Sequence, residues 1–177
     1  MAVYTKINKK DLLYINKKFN DERFLSFKGI KQGIENTNYL LKSKNKKYIL
    51  TIFEKRVSKK EIPFFMKLMD ELNTSKLNCP KPLKNKDGKY LINLKNKSAC
   101  IVSFLQGKDK KNLNTKNCYD VGRVIAQMHL HTKKIKLFRK NSMGVKNLNP
   151  LLKSIKFKSK KFTNIDKFLK INFDNIK

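Results

Sequence analysis

Two glycines and a knot of short polar side chains stand together early in the chain: Gly29 and Gly33, four positions apart, then Asn36, Thr37 and Asn38. Glycine allows backbone to come close to a ligand where a Cβ would obstruct it. Amide and hydroxyl groups beside it can donate hydrogen bonds to anionic oxygens. The chemistry open to this combination is the cradling of a phosphate. The same glycine spacing also serves a β-bulge or hairpin turn, so the flanking elements must decide. Other reactive patterns fall away. There is no G-x-x-x-x-G-K-[ST] phosphate loop and no G-x-S-x-G nucleophile elbow. His129 and His131 lie two apart, about 200° around a helix, and cannot share one metal while the helix continues. Cys79, Cys100 and Cys118 form no CxxC pair and read as reduced thiols. No residue is assigned a catalytic or metal-ligating role.

The elements that must position the glycine turn are legible from pattern. Residues 8–20 carry Leu12, Leu13, Ile15 and Phe19 opposite lysines, with Ile7 just before them, an amphipathic helix. Phe27 to Arg56 reads as two strands around the glycine turn and a third, central strand at Tyr48–Phe53, after a polar turn at 43–47. Ser58 and Glu61 suggest a capping box opening a helix with Phe64, Phe65, Leu68, Met69 and Leu72 on its apolar face. Pro80 and Pro82 force an extended connector. Asp87-Gly88 predicts the turn of a second hairpin running into Tyr90–Leu94. Ala99–Leu105 is a buried strand, and a helix begins at Thr115 with Val121, Val124, Ile125 and Met128 on one face. Gly122, Ala126 and His129 on an adjoining face would admit a neighbouring helix. Two further helices are expected around 150–157 and 164–173.

Charge says little about partners. The chain of 177 residues has a formal net charge of +30, which invites a nucleic-acid reading. Yet of its 43 basic residues only Arg23, Arg56, Arg123 and Arg139 are arginines, leaving 39 lysines. Nucleic-acid readers depend on arginine for bidentate and stacking contacts. The lysines are spread from Lys6 to Lys177, and Lys, Asn, Ile and Phe share A/T-rich codons, so base composition accounts for them without a nucleic-acid partner. No apolar h-region opens the chain, and no stretch approaches the apolar length of a membrane span. A cytoplasmic protein with no membrane partner is expected.

The order of elements is helix, glycine-turn hairpin, central strand, helix, Pro-x-Pro connector, hairpin, apolar strand, glycine and helix. The segments that fill it are MAVYTKINKKDL, SFKGIKQGIENTNYLL, KYILTIFEKR, IPFFMKLM, CPKPLKNKDGKYL, ACIVSFLQGK and NCYDVGRVIAQMHLHT, covering most of residues 1–150. Together they resemble the aminoglycoside phosphotransferase and choline kinase branch of the protein-kinase-like fold, and within it the kinase-like homoserine kinases. The resemblance implies an α+β fold: an N-terminal antiparallel-sheet lobe over residues 1–106, ending in a hinge strand, then the start of a helical lobe over 107–177. It implies ATP and Mg2+ as cofactors and ATP-dependent phosphorylation of L-homoserine, with other small-alcohol or amine kinases as the neighbouring reading and a basic RNA-binding module as the distant one. Carried onto this chain, Gly33, Asn36 and Asn38 would lie over the phosphates. Ser103 and Leu105 would offer backbone groups to adenine with Phe104 packed beside it. Ile101 and Val102 read as plain core.

Two departures narrow what the resemblance carries. Kinases place a phosphate-pairing lysine on the third strand; the corresponding inward position here is Thr51, flanked by Lys47 and Lys55. Phosphoryl transfer also needs an H-x-D-x-x-x-x-N-like loop and a later magnesium-binding aspartate, and no such loop occurs, Asp166 and Asp174 lacking those neighbours. The expectation is an N-terminal fragment of a homoserine kinase, without its magnesium ligands and without turnover.

Overall fold

The computed structural model describes residues 3–54, 58–75, 77–141 and 144. Asn8 opens the first helix, α1 (Lys9–Lys18), with a capping box: its side chain accepts the Asp11 N–H at 3.1 Å while the Asp11 carboxylate accepts the Asn8 N–H at 2.7 Å. Of the apolar residues expected on its stripe, Ile7, Leu12, Ile15 and Phe19 are buried, whereas Leu13 faces solvent.

Five antiparallel strands follow: β1 (Ser26–Gly29), β2 (Thr37–Lys42), β3 (Lys47–Ile52), β4 (Leu91–Leu94) and β5 (Lys97–Ser103). They form one sheet in the order β1-β2-β3-β5-β4. Strand alternation gives the sheet two faces. Tyr39, Leu41, Tyr48, Leu50, Ile52, Ala99, Ile101, Ile92 and Leu94 point to the face carrying α1, where Ile15, Phe19 and Phe24 complete the main core. Each fully buried aliphatic or aromatic side chain here contributes about 1.5–3 kcal/mol. Ile101 is core, as its sequence predicts, while Val102 lies half-buried on the opposite face.

That opposite face is covered in part by α2 (Ile62–Thr74), whose Ile62 and Met66 bury Cys100. The expected capping box at Ser58 does not form. Residues 58–61 instead make a turn closed by the Glu61 N–H donating to the Ser58 carbonyl at 2.9 Å, and the helix starts at Ile62 with Pro63 in its first turn. Proline there loses no intrahelical bond, so the chain can delay the helix until the ring is accommodated.

The second hairpin also differs from expectation. Asp87-Gly88 belongs to a loop organised by Asn85, whose Oδ1 accepts the N–H groups of Asp87 and Lys89, both at 2.9 Å, with Gly88 at φ 71°. The β4-β5 hairpin turns instead on Lys95-Asn96, at φ 51° and 62°, two left-handed residues matching the twist of a tight hairpin. The lead-in to β4 makes only an isolated bridge, Pro82 to Val102. The last described helix, α3 (Thr115–Thr132), is capped by Asn114 and buries no side chain: Val121, Val124, Ile125 and Met128 are all exposed, as are Gly122, Ala126 and His129. It continues through His131, which separates the two histidines around the axis. The chain divides into two compact units, Met1–Phe138 and Arg139–Lys177. The helices expected near 150–157 and 164–173, with Asp166, Asp174 and Lys55, fall outside the described residues.

Candidate functional site

The site is built on the sheet face opposite α1. Cross-strand partners share a face, and the register places Leu40, Ile49 and Val102 side by side across β2, β3 and β5. All three are apolar and half-buried, so they form a partly open strip, with Val102 packed at its edge against the Ile62–Met66–Cys100 cluster. The next same-face rung, about 7 Å along the strands, is Asn38, Thr51 and Cys100. Thr51 and Asn38 are joined, the Thr51 hydroxyl donating to Asn38 Oδ1 at 2.8 Å. Burial under α2 pushes the Cys100 thiol up to about 12, against a weaker opposing backbone hydrogen bond from Thr51, so Cys100 stays a neutral part of the packing.

The glycine turn sits at the end of the polar rung. Gly33 takes φ 108°, a conformation open to glycine and strained for other residues. A Cβ built there would meet only Asn38 Nδ2, at 4.0 Å. With its oxygen accepting from Thr51, the Asn38 amide therefore presents its N–H2 beside the turn. Asn36, also in the turn, accepts the Glu54 N–H at 3.3 Å. Gly29 has a different role from the one its spacing suggests: a Cβ there would come 3.1 Å from Val3 Cγ2 and 3.5 Å from the Tyr39 ring, so this glycine makes room for core packing.

At the other end of the strip β5 stops at Ser103, leaving Phe104 and Leu105 outside the strand and partly exposed. The Ser103 N–H donates to the Lys81 carbonyl and its hydroxyl accepts from the Lys81 N–H, both at 2.8 Å. The Phe104 N–H donates to the Lys47 carbonyl at 3.1 Å, and Lys47 Nζ stands 5.9 Å from the centre of the Phe104 ring. A cleft of about 920 Å³ opens here, bounded by Lys47, Tyr48, Lys81, Ser103, Phe104 and Gln106 among others. On its wall the Tyr48 hydroxyl donates a short hydrogen bond to Glu22. Burial, that bond and the carboxylate charge raise the phenol. Burial would raise Glu22 too, but hydrogen bonds from Tyr48, Lys46 and Ser43 and the Lys46 charge outweigh it and hold the carboxylate low.

The structure thus brings Gly33, Asn38 and Thr51 together at one end of the strip, with Asn36 alongside, and Ser103, Phe104 and Leu105 at the other. Sequence reasoning missed Leu40 and Ile49. The period of two could have found them, since each lies two positions from a polar site residue on its own strand. It also missed a partly buried polar cluster behind the turn, formed by Thr5, Thr37, Glu54 and Lys97. Its members are far apart in the chain, and no local pattern marks them.

Comparison with known proteins follows the same lines. The model of the phosphotransferase enzyme family matches residues 26–154. A homoserine kinase of Paramagnetospirillum magneticum is 40% identical over 156 residues, which take in 88% of this chain and 48% of that protein. The chain spans about half the length of the curated relatives it matches. Among solved structures, a microcompartment-associated aminopropanol kinase superposes with a TM-score of 0.61 at 16% identity, over 79% of this chain and 48% of that one. A spectinomycin phosphotransferase in complex with ADP and spectinomycin gives a TM-score of 0.59 at 16% identity, over 97% and 55%. At that identity the likeness is one of fold: an α+β, protein-kinase-like phosphotransferase architecture.

Proposed function

The chain belongs to the phosphotransferase enzyme family, and on that premise we propose that it supplies the nucleotide-covering lobe of an ATP-dependent kinase acting on the hydroxyl of L-homoserine. The observation that carries the nucleotide reading is the pair of rungs: a half-buried apolar strip beside a polar rung that ends under a positive-φ glycine. An adenine ring suits the strip of Leu40, Ile49 and Val102, with Phe104 at its edge. The phosphates suit Gly33, Asn36, Asn38 and Thr51, where amide and hydroxyl donors face a turn free of obstructing side chains. From Lys47 to Thr51 the strand runs about 13 Å, a span comparable with an extended nucleoside triphosphate. Because the Ser103 and Phe104 N–H groups already have acceptors, the adenine edge falls to the Ser103 carbonyl and the Leu105 backbone. Functionally the lobe ends near residue 106, and residues 107–177 begin the helical part.

ATP as donor is supported by the ADP complex of the spectinomycin phosphotransferase, and L-homoserine as acceptor by the homoserine kinase relative. Magnesium would arrive with the nucleotide: among the described residues no group of three or more His, Cys, Asp and Glu is arranged to hold a metal ion. The role of this chain's residues in that reading is to bind and orient ATP.

Two measurements test the reading. Titration of the chain with Mg·ATP should show saturable one-to-one binding. A chimera joining this chain to the second half of the Paramagnetospirillum relative should phosphorylate L-homoserine in preference to choline, aminopropanol and spectinomycin. Transfer to one of those acceptors and none to homoserine would replace the substrate assignment.

A further inference from the structure

Behind the glycine turn, on the side away from the proposed nucleotide, four side chains from distant parts of the chain converge. Thr37 Oγ1, fully buried, accepts the N–H groups of Tyr4 and Thr5 at 3.0 and 3.1 Å and donates to Glu54 Oε1 at 2.6 Å. The Thr5 hydroxyl donates to the same carboxylate oxygen at 2.7 Å. Lys97 pairs with Glu54 Oε2 and donates to Thr5 Oγ1 at 2.7 Å. Two further bonds reach the turn itself: the Glu54 N–H donates to Asn36 Oδ1, and the Tyr4 hydroxyl donates to the Ile34 carbonyl at 3.0 Å.

Holding strands together does not require this arrangement. The rest of that sheet face is held by apolar packing, and a partly exposed ion pair such as Glu54–Lys97 adds little net stability. What the polar cluster adds is direction: each bond fixes an angle, and the angles converge on positions 34, 36 and 37.

We propose that Glu54 is a positioning residue for the phosphate turn, holding residues 33–38 in their binding geometry through Thr37, Thr5, Lys97 and the N-terminal segment of Tyr4. The inference deepens the nucleotide reading above and rests on it for its consequence in affinity; the brace itself can be measured without nucleotide.

The test measures amide hydrogen exchange and Mg·ATP affinity on the whole chain. Thr37→Val keeps the shape and removes the hydroxyl, and Thr37→Ser restores it. Glu54→Gln keeps acceptors for the two threonines and removes the charge. Thr37→Val and Glu54→Gln should speed exchange at residues 31–36 roughly tenfold more than in β2 and β3 and weaken Mg·ATP roughly three- to tenfold, the worth of one or two hydrogen bonds. Thr37→Ser should sit close to wild type. Tyr4→Phe touches an exposed phenol and leaves the core intact, so it covers the case in which the buried variants do not fold. It should speed exchange at residues 33–35 with the melting temperature unchanged. Exchange rising evenly over the sheet in the buried variants, or a Tyr4→Phe protein with wild-type exchange in the turn, would overturn the brace. A wild-type chain that binds no Mg·ATP would sink the nucleotide reading, while the exchange results would still decide the brace.

Discussion

Asn38 carries two hydrogen-bonding functions on one amide, and the structure assigns them separately. Its oxygen accepts from Thr51, and its N–H2 lies beside Gly33. Asn38→Ala should therefore remove a donor to an anion, worth about 1.5–3 kcal/mol, and weaken Mg·ATP at least about tenfold by calorimetry. Thr51→Val leaves the donor in place but loses its orientation, and should cost about 1 kcal/mol. If Thr51→Val weakens binding as much as Asn38→Ala, Thr51 contacts the nucleotide directly. Glu54 sets a pH dependence. Burial alone would raise its carboxyl, but hydrogen bonds from Lys97, Thr37 and Thr5 and the Lys97 charge outweigh that and hold it below the ordinary 4.5. A carboxyl lowered by folding stabilises the fold above its unfolded pKa, and this contribution is lost as pH falls through the folded value. Denaturant midpoints should fall more steeply below about pH 4.5 for the wild type than for Glu54→Gln. Equal slopes would place the acid sensitivity elsewhere. Asn38 and Thr51 were legible because residue type and strand alternation are local properties. Glu54 was not, because its partners lie 17, 43 and 49 positions away.

At the scale of elements, the two misplaced boundaries have a common cause. Asp87-Gly88 is the stronger local turn signal, yet the hairpin closes at Lys95-Asn96 because there Leu94 can pair with Lys97 and keep Ile92 and Leu94 in the core. Pairing and burial overrode propensity. Asn96 at φ 62° tolerates the left-handed region better than most residues. Asn96→Gly should keep or raise the denaturant midpoint, and Asn96→Val should lower stability by about 1–2 kcal/mol; equal midpoints for the two would mean the turn relaxes without cost. Likewise the capping signature at Ser58 gave way to a start at Ile62, where the first helical residue is also the one that covers Cys100. The helix from Thr115, whose cap is local and whose body is undistorted by proline, starts at the residue its sequence predicts.

Over the whole molecule the dominant quantity is a formal net charge of +30 on 177 residues. Like charges at that density repel, and salt screens them over about 10 Å at 0.1 M. The melting temperature should rise between low salt and physiological ionic strength. A fall would mean that attractive pairs such as Glu54–Lys97 and Glu22–Lys46 outweigh the repulsion. No helix among the described residues is long and apolar enough to cross a membrane. The apolar side chains of α3 stand exposed in the described structure.

By itself the sequence determined the kinds of element and their order, the glycine turn with its amide neighbours, and the likeness to kinase-like phosphotransferases. The elements and the turn rest on periods of two and 3.6 and on spacing along the chain, all local; the likeness rests on the resemblance of whole segments to that family. Only the tertiary structure decided that Leu40, Ile49 and Val102 line up as one half-buried apolar strip, that Gly29 serves the core while Gly33 faces open space, and that Glu54 gathers Thr5, Thr37 and Lys97 behind the turn. Each depends on strand register, and register is settled by which side chains the folded sheet can bury together.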